Sequence, residues 1–341
     1  MASAVERLDG FQRRKRWAGM PLAVAYKFFD DQGVYLTALI TFYGFLSLFP
    51  LLLLGLTVLG FLLADNPELQ QRVVDSALSR FPVVGDQIGE NVQSLQGSTL
   101  ALVTGILISL YGALGVAQAC QVAFNRIWAV PRNSRPNPVL ARMRSALLLV
   151  IIGSGVLLTT VMSALTSGAN AVGNELGPLA RVAVAVLAVA VNAGLFLLAF
   201  RVLTARAVPV RDHLPGSVGV AVVWQLLQLG GTYYVGNTLQ GATATYGLFG
   251  IVLGLLAWIY LGAFTVVLAA EVNVVRARRL WPRSLMTPFT DDVELTRADE
   301  RAYASYAKSE RHKGFETVEV GFEGSPDGDR TDPRDGDREK K

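Results

Sequence analysis

Residues 34–63 read VYLTALITFYGFLSLFPLLLLGLTVLGFLL, thirty residues without a charged side chain. An apolar run of this length exceeds what a soluble core helix needs, so the stretch predicts a membrane span. At about 1.5 Å per residue the helix is longer than the ~30 Å hydrocarbon core, so it must tilt, kink or protrude. Pro50 frees a backbone carbonyl within the run, so we expect the kink there.

The composition of the whole chain fits a polytopic membrane protein. Of its 341 residues, 52% are apolar and only 17% are charged. We therefore predict an all-α fold with six transmembrane helices, at residues 34–63, 100–119, 145–165, 182–200, 218–234 and 248–270. The chain divides into a basic arm with an interfacial helix (1–32), the six-span membrane domain (33–283) and an acidic, largely disordered tail (284–341).

Arginines are concentrated in alternate connections between the predicted spans, which sets an orientation. Because Lys and Arg resist translocation, arginine-rich connections belong on the cytoplasmic side. The prediction is that both termini are cytoplasmic and that an external amphipathic helical hairpin joins spans one and two, as a cap or as a lid. The arginines in question are Arg126, Arg132, Arg135, Arg142, Arg144, Arg201, Arg206, Arg211, Arg276, Arg278, Arg279 and Arg283.

Charge is unevenly divided along the chain. Residues 1–283 carry 21 Lys and Arg against 12 Asp and Glu, whereas residues 284–341 carry 10 against 15. The basic run 13–16 beside a predicted span is typical of a topology signal attracted to anionic lipid. We therefore expect membrane lipids as partners, allow for a second copy of the chain, and expect no nucleic acid.

Residues that could carry catalytic chemistry are few. A metal-dependent hydrolase needs three or four converging ligands, and the chain has two histidines and one cysteine, Cys120. We interpret His213 as a surface or interfacial residue and expect no catalytic site, metal or cofactor. A nuclease would require Asp291, Asp292, Glu294 or His312 to converge on a metal, but these carboxylates are interpreted as solvated.

Polar residues inside the predicted spans are more informative, because each needs a partner or a water-filled cavity. They have two interpretations. They are interhelical hydrogen bonds worth roughly 0.6 to 2 kcal/mol each, or they line a shared polar pathway. The candidate pathway residues are Thr41, Tyr43, Ser47, Tyr111, Gln118, Asn125, Asn192, Gln225, Gln228 and Thr232.

Glu271, at the end of the last predicted span, lacks a basic residue at i+3 or i+4. Its partner must therefore come from another helix or from water, and Arg201, which closes the fourth span, is the hypothesis. The pair is either a structural clamp or a gating or proton-coupling pair. In the same helix, Gly250 and Gly254 have the GxxxG spacing that permits close packing.

Several motifs occur in an order that resembles the YihY/BrkB family of bacterial inner-membrane proteins, over roughly residues 20–283. The motifs are Ser47-Leu48-Phe49-Pro50, Phe124-Asn125-Arg126-Ile127-Trp128, Pro215-Gly216, Thr245-Tyr246-Gly247 and Ala270-Glu271-Val272-Asn273. The resemblance implies a six-helix protein of the bacterial cytoplasmic membrane without a well-established activity. The family has historically carried the label ribonuclease BN and a virulence-factor name.

Three function classes follow. The leading expectation is a non-enzymatic, transporter-like protein that translocates a lipid or amphipathic solute. The alternative is a structural or assembly protein, in which the polar groups only hold the bundle together. The third class is a ribonuclease, for which the residues supply neither a metal site nor a soluble surface with stacking aromatics.

Overall fold

The computed structural model describes residues 2–62, 99–171, 178–234, 248–291 and 293–322. Over these ranges the chain forms α-helices and one short 3-10 turn, and no strand. The predicted all-α class is therefore confirmed for the described chain. In order, the helices are α1 (Ala2–Arg14), α2 (Arg16–Asp30), α3 (Gly33–Leu62), α4 (Thr99–Ile127), α5 (Pro138–Ala171), α6 (Pro178–Leu203), α7 (Val210–Tyr234), α8 (Leu248–Ala277) and α9 (Arg297–Ser309).

Three segments of the described chain are long and apolar enough to cross a bilayer: Pro138–Gly155, Ala185–Leu203 and Val252–Ala277. Gly33–Leu48 is a shorter apolar helical stretch at the start of α3. The count of six spans and the orientation stay predictions. The predicted external hairpin, the connection 235–247 and the tail beyond residue 322 lie outside the described residues.

At one end of the bundle, three of the six long helices end and the other three begin. Gln121, near the end of α4, donates from Nε2 to Ser145 Oγ near the start of α5, at 2.7 Å. Asn125 of α4 accepts from the backbone N–H of Ala205, just after α6, at 3.0 Å. Here α4, α6 and α8 end while α3, α5 and α7 begin. We call this the charged end of the bundle.

Helix α8 lies at the centre of the fold, with α2, α3, α4 and α7 packed against it. Its buried side is built from small or β-branched residues such as Val267, Ala270 and Val274, each fully buried. The Phe264 ring meets Phe28 of α2 edge to face, with centroids 5.3 Å apart. The small side chains let neighbouring helices approach closely, so residues from α2 reach the surface of α8.

The contact between α7 and α8 depends on Gly216. Asn273 of α8 accepts from the Gly216 N–H at 2.7 Å and donates from Nδ2 to the His213 carbonyl at 3.1 Å. A Cβ atom added at Gly216 would collide with the Ala269 carbonyl and the Asn273 side chain. Glycine is therefore required here by the close approach of two helix backbones.

We predict opposite effects for two glycine substitutions on α7. Gly216→Ala should lower the free energy of unfolding by about 1 to 3 kcal/mol, because the new methyl group forces the helices apart. Gly219→Ala, where an added Cβ meets open space, should be neutral or stabilising by up to about 1 kcal/mol, since alanine is the better helix former. Thermal midpoints of the purified variants measure this, and equal midpoints would contradict the close contact at Gly216.

Candidate functional site

Three charged side chains meet inside the charged end of the bundle. They are Lys27 on α2, Asp31 just after α2, and Glu271 on α8, and each is at most 1% exposed. The Lys27 ammonium donates to Asp31 Oδ2 and, at 3.0 Å, to the carbonyl of Ile127, the last residue of α4. Its Nζ atom lies 3.7 Å from Glu271 Oε2. We refer to Lys27, Asp31 and Glu271 as the buried charge cluster.

The sequence around Lys27 explains how a lysine becomes buried. Lys27 shares one face of α2 with Ala23, Val24 and Phe28, and this apolar face packs into the core. Asp31 follows four residues later, so its carboxylate can meet the ammonium on the same side of the chain. The sequence reasoning missed both residues. The signal that could have found them is a Lys–Asp pair at i, i+4 on an otherwise apolar helix face.

The charges in the cluster do not balance, since two carboxylates share one ammonium. Both Glu271 carboxylate oxygens are buried without a hydrogen-bond partner in the described part of the chain. Burial raises the pKa of Asp31, while Lys27 and then Arg126 act in the opposite direction. Lys27 also lies 5.1 Å from the centroid of the Tyr306 ring. Burying an ion costs several kcal/mol, and pairing with an opposite charge offsets this cost. Removing one partner of the cluster would therefore leave an uncompensated buried charge.

A second set of polar contacts fastens the peripheral helices over the cluster. Arg283, 1% exposed, donates to Asp299 of α9 and, at 3.1 Å, to Asp30 of α2. The Arg283 carbonyl accepts from Gln12 Nε2 of α1 at 2.6 Å. Burial lowers the pKa of Arg283, but Asp30 and Asp299 outweigh it and the pKa lies above the usual value. One arginine thus connects α1, α2 and α9.

Tyr306 of α9 joins the two sets of contacts. Its hydroxyl donates to Asp30 Oδ2 at 3.1 Å, and its ring faces the Lys27 ammonium. Burial raises the pKa of Tyr306, and Asp31 and Asp30 raise it further. The phenol therefore stays protonated and remains a donor at neutral pH. Within the predicted tail 284–341, α9 is a packed helix whose Tyr303 and Tyr306 face the charged end.

The predicted pathway residues occupy different environments. Thr41 and Ser47 donate to carbonyls of their own helix, Thr37 at 2.8 Å and Gly44 at 3.1 Å. Asn125 is buried and bonds between helices. Tyr111, Gln118 and Gln228 are exposed, whereas Tyr43, Asn192 and Gln225 are half-buried. Pro50, Thr232 and Gly250 are described only as parts of the backbone of their helices. Helix α3 continues through Pro50 as one helix.

The hypothesis that Glu271 pairs with Arg201 needs correcting. The structure pairs Glu271 with Lys27, while the Arg201 side chain is exposed. The reason is that α2, expected to lie at the membrane interface, packs against α8 and brings its own cation to Glu271. Gly254, from the predicted GxxxG pair, is buried on α8.

His213 also differs from its predicted surface position. It is 1% exposed, and its ring packs edge-on against Trp128, with centroids 5.2 Å apart, and against Phe200 at 6.4 Å. Burial lowers the pKa of His213, Asp212 opposes this, and Arg201 adds to the lowering. The residue was misplaced because Arg211 and Asp212 precede it in sequence, whereas the aromatic rings that cover it come from α6 and from the residue after α4.

The described residues that were named for a metal-dependent nuclease lie on the surface. Asp291, Glu294 and His312 are exposed, and Asp292 lies outside the described residues. Among the residues that the structure describes, no group of three or more His, Cys, Asp or Glu side chains is placed to hold a metal ion.

Sequence comparison identifies the class and then the family. The described fold, with long apolar helices and a buried charged end, is that of a helical membrane protein. The sequence profile of the family described as "Virulence factor BrkB" matches residues 24–290, so the chain belongs to the BrkB family. This confirms the resemblance seen in the motifs. The match includes every member of the buried charge cluster.

The named relatives are distant in sequence and carry two kinds of name. A ribonuclease-like protein named YfkH from Bacillus subtilis is 24% identical over 261 residues, covering 71% of this chain and 90% of that protein. The UPF0761 membrane protein Bpet3042 of Bordetella petrii is 28% identical, covering 64% of this chain and 49% of that protein. A UPF0761 membrane protein of Xanthomonas campestris is 25% identical, covering 81% and 65%. The chain thus spans about half to two thirds of these UPF0761 relatives, and no solved structure matches it.

We predict that Lys27→Met destabilises the protein by about 3 to 5 kcal/mol, because it leaves two buried carboxylates without their ammonium. Adding Glu271→Gln should recover part of this loss by removing one of the unpaired charges. Lys15→Met, at an exposed lysine just before α2, is the matched control and should be close to neutral. Thermal or denaturant unfolding measures all three variants. A Lys27→Met variant as stable as Lys15→Met would contradict the cluster.

His213 should make folding sensitive to acid. Its folded pKa lies below the ordinary value of 6.5, so below pH 6.5 the unfolded chain binds a proton that the folded chain refuses. Stability from this group is present above pH 6.5 and is lost as pH falls toward the folded pKa. The thermal midpoint should therefore fall less between pH 7.5 and about pH 5 in His213→Phe than in the unmodified chain. His312→Phe, at an exposed histidine, should keep the original slope.

Proposed function

We propose that this protein is a transporter-like component of the bacterial cytoplasmic membrane that translocates a lipid or amphipathic solute, with Glu271 as the group whose charge changes during the cycle. Six spans with both termini in the cytoplasm belong to the same proposal. The charged end of the bundle is then its cytoplasmic end, because arginines gather in the connections there. Family membership supports a membrane location.

The observation that carries the proposal is the unbalanced buried charge cluster. An ionisable group inside a membrane helix is costly and typically marks a substrate or ion pathway. Glu271 lies on a helix apolar enough to span the bilayer, and its carboxylate oxygen Oε2 is 3.7 Å from the ammonium of Lys27, which also binds Asp31. A purely structural ion pair would balance its charges, whereas here two buried carboxylates share one ammonium.

Proton uptake would change the balance of this cluster. The charged groups that act on Glu271 are Lys27 and Asp31 from the α2 region. Tyr306 of α9 interacts with Glu271 as well, and Arg126 of α4 acts on Asp31. With both carboxylates ionised, Lys27 is shared between them. With one protonated, Lys27 forms a balanced pair with the other. The contact of α2 with α8 would therefore respond to protonation, which is a bistable element that a transport cycle can use.

A structural or assembly role is the second candidate, and a specific observation favours it. Thr37, Thr41 and Ser47 donate to carbonyls of α3 itself, and Asn125 and Asn273 bond between helices. These polar groups behave as internal bonds of the bundle rather than as a pathway lining. In this case Glu271 would only fix α2 against α8, and changing it would alter stability without altering any flux.

The test is lipid movement by the full-length chain in liposomes. Fluorescent phosphatidylglycerol is placed in both leaflets, and dithionite destroys the outer-leaflet dye, so protein-dependent translocation increases the quenched fraction. We expect faster translocation than in protein-free liposomes and a dependence on pH. Glu271→Gln should slow translocation about tenfold, the effect of ~1.4 kcal/mol on a barrier, and should remove the pH dependence.

The matched control is Glu294→Gln, which makes the same chemical change at an exposed carboxylate of the described chain and should leave the rate unchanged. Rates equal to those of protein-free liposomes would contradict lipid translocation. A normal rate in a folded Glu271→Gln variant would remove Glu271 from the mechanism and favour the structural role.

A further inference from the structure

A cleft lies beside the buried charge cluster, with arginines along its wall. It is bounded by the α2–α3 junction, the last turns of α4 and the loop that follows α4. Its volume is about 200 Å³, room for roughly seven waters at about 30 Å³ each, so a phosphate group fits. Its lining residues are Asp31, Gln32, Leu36, Val122, Arg126, Arg132 and Arg135.

Positive charge dominates the lining. Three guanidinium groups face a single carboxylate, that of Asp31, which already accepts a hydrogen bond from Lys27. Burial lowers the pKa of Arg135, and the neighbouring Arg132 lowers it further. Crowded arginines of this kind are relieved by an anion, and planar guanidinium groups are well suited to phosphate oxygens.

A carboxylate just after α9 lies at the rim of the cleft and bridges two of its arginines. Glu310, the residue just after α9, is 3.0 Å from Arg126 Nη1 through Oε1 and 2.8 Å from Arg132 Nη2 through Oε2. Its neighbour Arg311 accepts at its carbonyl from the Asn133 N–H, so the end of α9 docks on this loop. One carboxylate bridging two arginines occupies the positions that two phosphate oxygens would take.

Part of the lining is apolar. Leu36 belongs to the start of α3, and Val122 of α4 is 49% exposed. Tyr35, the residue before Leu36 on α3, is 74% exposed. An anion site with an apolar flank at the ends of long apolar helices fits a headgroup attached to a glycerol and acyl chains better than a free ion.

We propose that Arg126, Arg132 and Arg135 form a binding site for a phosphate group, that of an anionic phospholipid, and that Glu310 competes with this phosphate as an internal ligand. The site is occupied by Glu310 in the closed state and by the headgroup when α9 moves aside. This assignment rests on the proposed function in placing the cleft at the bilayer surface. Binding is measured without any transport, so failure of the site and failure of transport are distinguishable.

The experiment measures lipid binding to the purified full-length protein by native mass spectrometry. Dioleoyl phosphatidylglycerol is compared with dioleoylglycerol, which has the same chains but no phosphate. We expect a clear preference for the phosphate-bearing lipid. Inorganic phosphate is added alone and as a competitor, which separates a headgroup site from a site for the free ion.

Two variants with opposite expected effects keep the result independent of misfolding. Arg132→Gln, at an exposed arginine, should weaken phosphatidylglycerol binding about tenfold, as expected for losing one charge-assisted bond. Glu310→Gln should strengthen binding several-fold, a gain that an unfolded protein cannot mimic. Arg211→Gln, at another exposed arginine, is the matched control and should leave binding unchanged.

The binding experiment has three distinguishable outcomes. A preference for phosphatidylglycerol that depends on Arg132 and resists inorganic phosphate supports a lipid headgroup site. Arginine-dependent binding of inorganic phosphate, without a preference for the lipid, keeps the phosphate site but assigns it to the free ion. Equal binding of both lipids with no response to Arg132→Gln or Glu310→Gln would overturn the proposal.

Discussion

The burial of Lys27 between Asp31 and Glu271 is the constraint on which the charged end of the bundle depends. An ammonium group that is 0% exposed must find its hydrogen bonds inside the protein, and it does so from the C-terminal carbonyl of α4 and the Asp31 carboxylate. These contacts fix α2 against α4 and α8 at the same time. Lys27 holds these segments together, and its single charge faces two carboxylates.

Around this constraint the peripheral helices form a second layer. Arg283 joins α1, α2 and α9 through Gln12, Asp30 and Asp299, and the capping box of Thr296 and Asp299 fixes the start of α9. The opposite end of α9 delivers Glu310 to Arg126 and Arg132. The C-terminal helix therefore contacts both the buried charge cluster, through Tyr306, and the arginine cleft. Movement of α9 would expose both together.

The sequence predicted the helical class, the family and most of the long helices, because apolar runs and motif order are local properties. Helix ends were less accurate: the run predicted at 145–165 lies within Pro138–Ala171, and that at 248–270 within Leu248–Ala277. Backbone hydrogen bonds continue past the point where arginines lower the hydropathy. The site was largely missed, since Lys27 was not singled out on its apolar helix face and His213 was interpreted as a surface or interfacial residue. Only packing between distant helices buries them.

The most direct test of this account is the reactivity of the lysines in the folded full-length protein in lipid nanodiscs. Acetylation by an amine-reactive reagent, followed by peptide mass spectrometry, compares Lys27 with Lys15, Lys308 and Lys313, which are exposed. Burial of Lys27 predicts that the three exposed lysines are modified while Lys27 is protected until the protein is unfolded. Modification of Lys27 at the same rate as Lys15 in the folded protein would contradict it.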